Sequence, residues 1–147
     1  MTYEEWEQTA PEAITRDVLW KMRVYRLGLF VSDIGWEDVT KLMHDPRTLK
    51  LSDQLYRSLG SISANIAEGY SRGSGKDRAR FYEYALGSAR ESRDWYYKSR
   101  HVLLDSAVEH RVDLCSQIIR LLLTMLPDER HRFFKEDSVS YQVDDSA

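Results

Sequence analysis

The side chains able to do covalent or metal chemistry are few. The histidines are His44, His101, His110 and His131, and the single cysteine is Cys115. A helical metal site needs two ligands one turn apart, and no two of these histidines stand four residues apart or have a cysteine partner nearby. Cys115 falls in phase with an apolar run, which makes it a buried, inert thiol rather than a nucleophile. Neither a Gly-x-Ser-x-Gly elbow nor a His-Glu-x-x-His pair is present. The sequence therefore assigns no catalytic residue, no metal and no cofactor, and the chain is expected not to be an enzyme.

Two polar clusters remain. Gly73-Ser74-Gly75-Lys76 has the look of a phosphate loop, but that motif needs glycine where Tyr70 stands, Ser or Thr where Asp77 stands, and a preceding strand. An ordinary turn with Ser74 as helix cap fits better, leaving a looser anion site among Arg72, Lys76 and Arg78 as the alternative. The segment 70–100 has an excess of four positive charges, and Arg72, Lys76, Arg78, Arg80, Arg93 and Arg100 are the candidate phosphate contacts for RNA or DNA. The competing reading is a solvated, mixed-charge helix face, which a pI of about 5.8 favours. Asn65 and Glu68 lie on or beside the core face of one helix, and Ser88, Arg90, Ser92 and Glu91 face them from the next. The expectation is a buried polar network fixing register, because an unmatched buried amide costs about 1–3 kcal/mol.

The chain that must position these residues has 147 residues, 42% of them hydrophobic and 31% charged, with a net charge of −3. That is one domain, neither a disordered polyelectrolyte nor a membrane protein. Residues 1–13 carry Glu4, Glu5, Glu7 and Glu12 with no basic residue, and 135–147 carry Glu136, Asp137, Asp144 and Asp145 against Lys135, so both ends are acidic. No apolar run approaches a bilayer span, and no secretory signal is read at the start. One cysteine fits a reducing compartment, and a cytoplasmic location is expected.

Apolar residues recurring at three and four predict four helices. The first spans about 17–44, with Trp20, Val24, Leu27, Phe30 or Val31, and Ile34 on one face and a kink at Gly35. The second spans about 49–68, with Leu51, Leu55, Leu59, Ile62 and Ile66, and Gly69 in the positive-φ cap position. The third spans about 75–103, with Phe81, Tyr84 or Ala85, Ser88, Ser92, Trp95 or Tyr96, Ser99 and Val102 inward. There Gly87-Ser88-Ala89 would admit a neighbouring backbone. The fourth spans about 107–126, capped by Ser106 and ended by Pro127. Its stripe is wide enough to suggest a second packing partner. Thr9-Ala10-Pro11-Glu12 resembles a capping box in a short turn within the acidic extension 1–16. Residues 1–8 and the tail 127–147 are expected to be mobile. Short links imply antiparallel neighbours, so the fold class is all-α, an up-down-up-down antiparallel four-helix bundle.

The run Gln54–Gly73 holds Ser61-Ile62-Ser63-Ala64-Asn65-Ile66-Ala67-Glu68-Gly69 at its centre. Phe81-Tyr82-Glu83-Tyr84-Ala85-Leu86-Gly87-Ser88-Ala89-Arg90-Glu91 follows it. Together they resemble the signature of the four-helix bundle protein family first noticed in intervening sequences of bacterial large-subunit ribosomal RNA genes. The resemblance spans about residues 17–126. It implies a ring-like homo-oligomer, a pentamer. A related protein, the accessory protein of diversity-generating retroelements, looks like a barrel of five subunits that binds nucleic acid and the retroelement reverse transcriptase. The partners implied are thus further copies of the chain, RNA or DNA, and a reverse transcriptase or another protein. Two functions follow as expectations: an oligomeric adaptor touching RNA or DNA through the third helix, or a protein–protein scaffold without a nucleic-acid role.

Overall fold

The computed structural model describes residues 1–146, with side chains through residue 129. Among the described residues six α-helices run in the order α1 (Tyr3–Glu7), α2 (Glu12–Thr15), α3 (Arg23–Leu42), α4 (Leu49–Tyr70), α5 (Gly75–Lys98) and α6 (Asp105–Ser146), with 3-10 turns at Val18–Lys21 and Ser99–His101. No strand occurs among the described residues. The four long helices pack in chain order, and α3 meets α6 far less than it meets α4.

Cross-helix pairs fix the sense of packing. Ser58 meets Ser92 and Ser61 meets Ser88 between α4 and α5, while Arg93 meets Ser116 and Arg78 meets Glu129 between α5 and α6. In each pair of helices one residue number rises as the other falls, so the neighbours are antiparallel. The α4 stripe is as the period predicts: Leu55, Leu59, Ile62 and Ile66 are fully buried. On α5 the inward residues are Tyr82, Ala85, Ala89, Ser92 and Tyr96, so Tyr82 takes the place expected of Phe81 and Tyr84 is exposed. The helix is covered by α4 on one side and α6 on the other, and a two-sided stripe has no single phase to read.

Several boundaries differ from expectation. The first long helix is split: Asp17 caps the 3-10 turn through a bond from Leu19 N (2.9 Å), and Met22 is extended before α3 begins. No kink is needed at Gly35, which lies inside α3. A Cβ there would sit 2.5 Å from Leu59 Cδ1, so this glycine lets α4 approach. Gly69 is also helical and buried, without a positive φ, and a Cβ would meet the Phe81 Cβ at 2.9 Å. It serves close packing of α4 on α5 rather than capping. Gly87, by contrast, has no atom within 4 Å of such a Cβ, so of the Gly87-Ser88-Ala89 run it is Ser88, bonded to Ser61, and the fully buried Ala89 that face the neighbouring helices. Ser74 caps α5 through Asp77 N (3.2 Å) as expected. Ser106 lies inside the first turn of α6, not at its cap. Asp45 closes the α3–α4 link by accepting from the Arg47 guanidinium (2.7 Å) and from Arg47 N (2.8 Å), contacts that hold its carboxyl down at about 2.

The ends are the largest departures. Thr2 and Glu5, not Thr9 and Glu12, form the capping box, with Thr2 Oγ1 accepting from Glu5 N (3.2 Å) and Glu5 Oε2 accepting from Thr2 N (3.0 Å). Trp6 is 4% exposed, and its indole N–H donates to Asp33 (2.6 Å). Its ring packs near Phe30 and Trp20, and Tyr3 stands edge-on to Phe30. The N-terminal segment is thus part of the core rather than a mobile arm. At the other end α6 passes through Pro127 without stopping. The carbonyl of Leu123 loses its N–H partner, but both residues are exposed and water can replace the bond. Glu129 beyond the proline still pairs with Arg78 on α5 (2.9 Å). The mobility expected of the tail lies, past Glu129, outside the residues whose side chains are described.

Candidate functional site

The expected polar network is redistributed. Asn65 is half-buried and donates to the carbonyl of Ser61 on its own helix (2.8 Å). Glu68 is exposed and pairs with Arg72 one turn on. Glu91 accepts from the Trp95 indole (3.1 Å) on the surface, and Arg90 is exposed. Of the six residues expected in the network, only Ser88 and Ser92 join helices, Ser88 through Ser61 (2.5 Å) and Ser92 through Ser58. The register between α4 and α5 is held by serines: Ser58 bonds Ser92 (2.8 Å), and Ser92 in turn donates to the carbonyl of Ser88 (2.8 Å). Small side chains are needed where two backbones come this close, and hydroxyls satisfy themselves on carbonyls of their own helix.

A second buried network was not foreseen. Asp38, 2% exposed, accepts from the Tyr96 hydroxyl (2.7 Å) and from Arg111 Nε (2.9 Å) and Nη2 (3.3 Å). One carboxylate thereby joins α3, α5 and α6. Burial first, then the adjacent carboxylate, pushes the Tyr96 hydroxyl far above its ordinary range. Arg111 also donates through Nη1 to His110 Nδ1 (2.9 Å). Burial, and secondarily the Arg111 charge, lowers the pKa of His110. The signal in the sequence is Asp38 itself, a carboxylate directly before Val39 and four residues before Leu42 on the inward face of α3. Among the described residues every buried side-chain nitrogen or oxygen has a hydrogen-bond partner. No group of three or more metal-ligating His, Cys, Asp or Glu side chains forms among them.

The six basic candidates do not converge. Arg78 is largely buried, pairing with Glu129 and donating to the Arg72 carbonyl (3.0 Å). Arg93 donates to Ser116 Oγ (3.2 Å) and is half-buried. Lys76 is exposed at the first turn of α5. Arg72 and Arg80 both lie over the Phe81 ring, at 4.7 and 5.3 Å, and Arg100 lies over Tyr97 at 4.2 Å. The outward face of α5 also carries Glu83, Glu91 and Asp94, the last paired with Lys98 (2.7 Å), so its charge is mixed.

A group of exposed apolar side chains lies elsewhere. Trp36 (62% exposed), Met43 (55%), Leu49 (49%) and Tyr56 (40%) gather where α3 meets α4. Trp36 and Tyr56 meet edge to face, with centroids 5.6 Å apart. These four line a groove of about 660 Å³, bordered by Lys50 and Asp53. Most of the wide stripe on α6, including Ile118, Ile119, Leu122 and Leu126, is covered within the chain, although Leu123 is exposed. No helix among the described residues is long and apolar enough to cross a membrane.

Comparison with known proteins bears on this fold. The family model described as 23S rRNA-intervening sequence protein matches residues 21–126. Among solved structures, a protein of unknown function from the S23 ribosomal protein family of Bacteroides thetaiotaomicron VPI-5482 is similar at 23% identity and a TM-score of 0.64. The match covers 70% of this chain and 97% of that one. At that identity the likeness is one of fold. No curated protein matches the chain.

Proposed function

The chain belongs to the 23S rRNA-intervening sequence protein family, and we propose that it is a non-enzymatic adaptor that assembles with copies of itself through the α3–α4 groove. The observation carrying this reading is the aromatic and aliphatic group Trp36, Met43, Leu49 and Tyr56, exposed together at a concave surface. Single exposed apolar residues are ordinary, but a contiguous group marks a contact. A ring needs two different, complementary patches on each copy. The groove is one of them. Tyr84, Tyr97, Leu104 and Leu123, exposed on or beside α5 and α6, offer material for the other. The five-subunit arrangement implied by the sequence resemblance is such a ring. Sedimentation of Trp36→Glu beside the unaltered chain tests the reading: the variant falls to a single copy if the groove is the contact, and retains its assembly if it is not.

A second reading adds nucleic acid as the adaptor's cargo. The guanidinium groups of Arg72, Arg80 and Arg100, exposed over aromatic rings, favour it. Such pairs present a flat cation on which a base can stack and a phosphate can pair. Arg78 and Arg93 are engaged within the bundle and leave this reading. Binding to RNA and DNA oligonucleotides across a salt series decides. Ionic capture weakens with salt at a log–log slope of about −0.7 per phosphate on single strands, and affinity indifferent to salt excludes it.

A further inference from the structure

A cavity of about 630 Å³ opens between the start of α1, the first two turns of α3 and the first half of α6. Its volume falls within the usual range of small-molecule sites, about 300–1,000 Å³. The buried side chains Leu27, Phe30 and Leu114 give it an apolar base, and Arg23, Arg26, His110 and Gln117 line it as well. The Arg23 side chain is exposed and makes no ion pair or hydrogen bond among the described residues. Arg26 uses Nε on the Tyr3 hydroxyl (2.9 Å) and Nη1 on the Trp20 carbonyl, neither of which offsets its charge. Arg111 also lines the cavity, but its charge is already met by Asp38. His110 Nδ1 accepts from Arg111, because a guanidinium can only donate, which places the proton of the neutral ring on Nε2. Glu4 is the one carboxylate in the lining.

We propose that this cavity binds a small organic anion, an apolar body seated on Leu27, Phe30 and Leu114 with its sulfonate, phosphate or carboxylate group held by Arg23 and Arg26. Two guanidinium groups without a carboxylate partner, three residues apart on one helix, are placed to share an acidic group. An inorganic ion would leave the apolar base uncovered, so the body matters as much as the charge. The site includes α1, which lies outside the span matched by the family model, and it is separate from the α3–α4 groove.

The test is a fluorescence titration of the full chain with two probes that share an aromatic body. One is 1-anilinonaphthalene-8-sulfonate and the other is the uncharged N-phenyl-1-naphthylamine. The sulfonate binds at least about tenfold more tightly, the scale of one hydrogen bond to a charged group. Arg23→Glu and Arg26→Gln each weaken the sulfonate and leave the uncharged probe unchanged, while Trp36→Ala in the distant groove changes neither. Circular dichroism checks that the variants fold. Should Arg26→Gln unfold because Tyr3 is released, Arg23→Glu decides alone, since Arg23 holds nothing else. Equal affinity for the two probes, or undiminished sulfonate binding by Arg23→Glu, overturns the proposal.

Discussion

The Tyr96 hydroxyl donates to the Asp38 carboxylate at 2.7 Å, a bond that ties α5 to α3 in the interior of the bundle. A buried carboxylate is costly unless its oxygens are matched, and Arg111 completes the match from α6. Tyr96→Phe removes the neutral donor and keeps the ring. The expected loss is about 1.5–3 kcal/mol, the value of a hydrogen bond to a charged group. Asp38→Ala strands both Arg111 and Tyr96 and costs about 3–5 kcal/mol. Urea unfolding followed by circular dichroism measures both.

The helical glycines divide into two kinds, and alanine separates them. At Gly87 nothing lies within 4 Å of an added Cβ, so Gly87→Ala gains about 0.8–1 kcal/mol of helix propensity. At Gly35 the same methyl meets Leu59 Cδ1 at 2.5 Å, and because Leu59 is fully buried its forced repacking outweighs the propensity gain. Opposite shifts in unfolding midpoint are expected. A stabilising Gly35→Ala contradicts the packing assigned here.

The N-terminal segment contributes to the core through Trp6, so Trp6→Ala costs about 3–5 kcal/mol, as for a large aromatic in a packed site. A segment that merely trails the bundle leaves stability unchanged when Trp6 is cut back. Thermal unfolding of the variant distinguishes the two.

Alkaline pH weakens the fold in a defined direction. Burial pushes the Cys115 thiol up to about 12 from 9.0, and burial with the Asp38 charge pushes Tyr96 far above 10.0. Both groups stay protonated in the native chain while the unfolded chain releases these protons near pH 9 and 10. The unfolded state then binds fewer protons, so stability is fully present below those values and falls as pH rises through them, by about 1.4 kcal/mol per pH unit for each group. The urea midpoint is expected to respond to neither group up to about pH 8.5 and to decline above it. The native thiol also resists alkylation at pH 8 and reacts once urea unfolds the chain.

The parts of this molecule that local spacing can express were readable. The α4 stripe repeats at three and four without interruption, and Ser74 precedes α5 in a recognisable cap pattern. Gly69 was misread because a glycine ending a helix and a glycine admitting a neighbouring helix look the same in one dimension. The Asp38–Arg111 pair spans 73 residues, so no window holds both partners. The inward phase on α5 slipped from Phe81 to Tyr82 because two neighbours compete for that helix. Thr2-x-x-Glu5 carried a legible capping signal, yet terminal position argued for mobility, and only Trp6 finding Asp33 and Phe30 reverses that. The α3–α4 groove had a cue in Trp36, which stands out of phase with the buried residues Val31, Asp38 and Leu42 of its helix.

The mass of the chain in solution, by light scattering at micromolar concentration, tests the assembly most directly. Self-association through the groove predicts a whole multiple of 17.3 kDa, five for the closed ring, reduced to a single copy by Trp36→Glu with Tyr56→Glu. An unaltered chain of 17.3 kDa at every concentration contradicts the account.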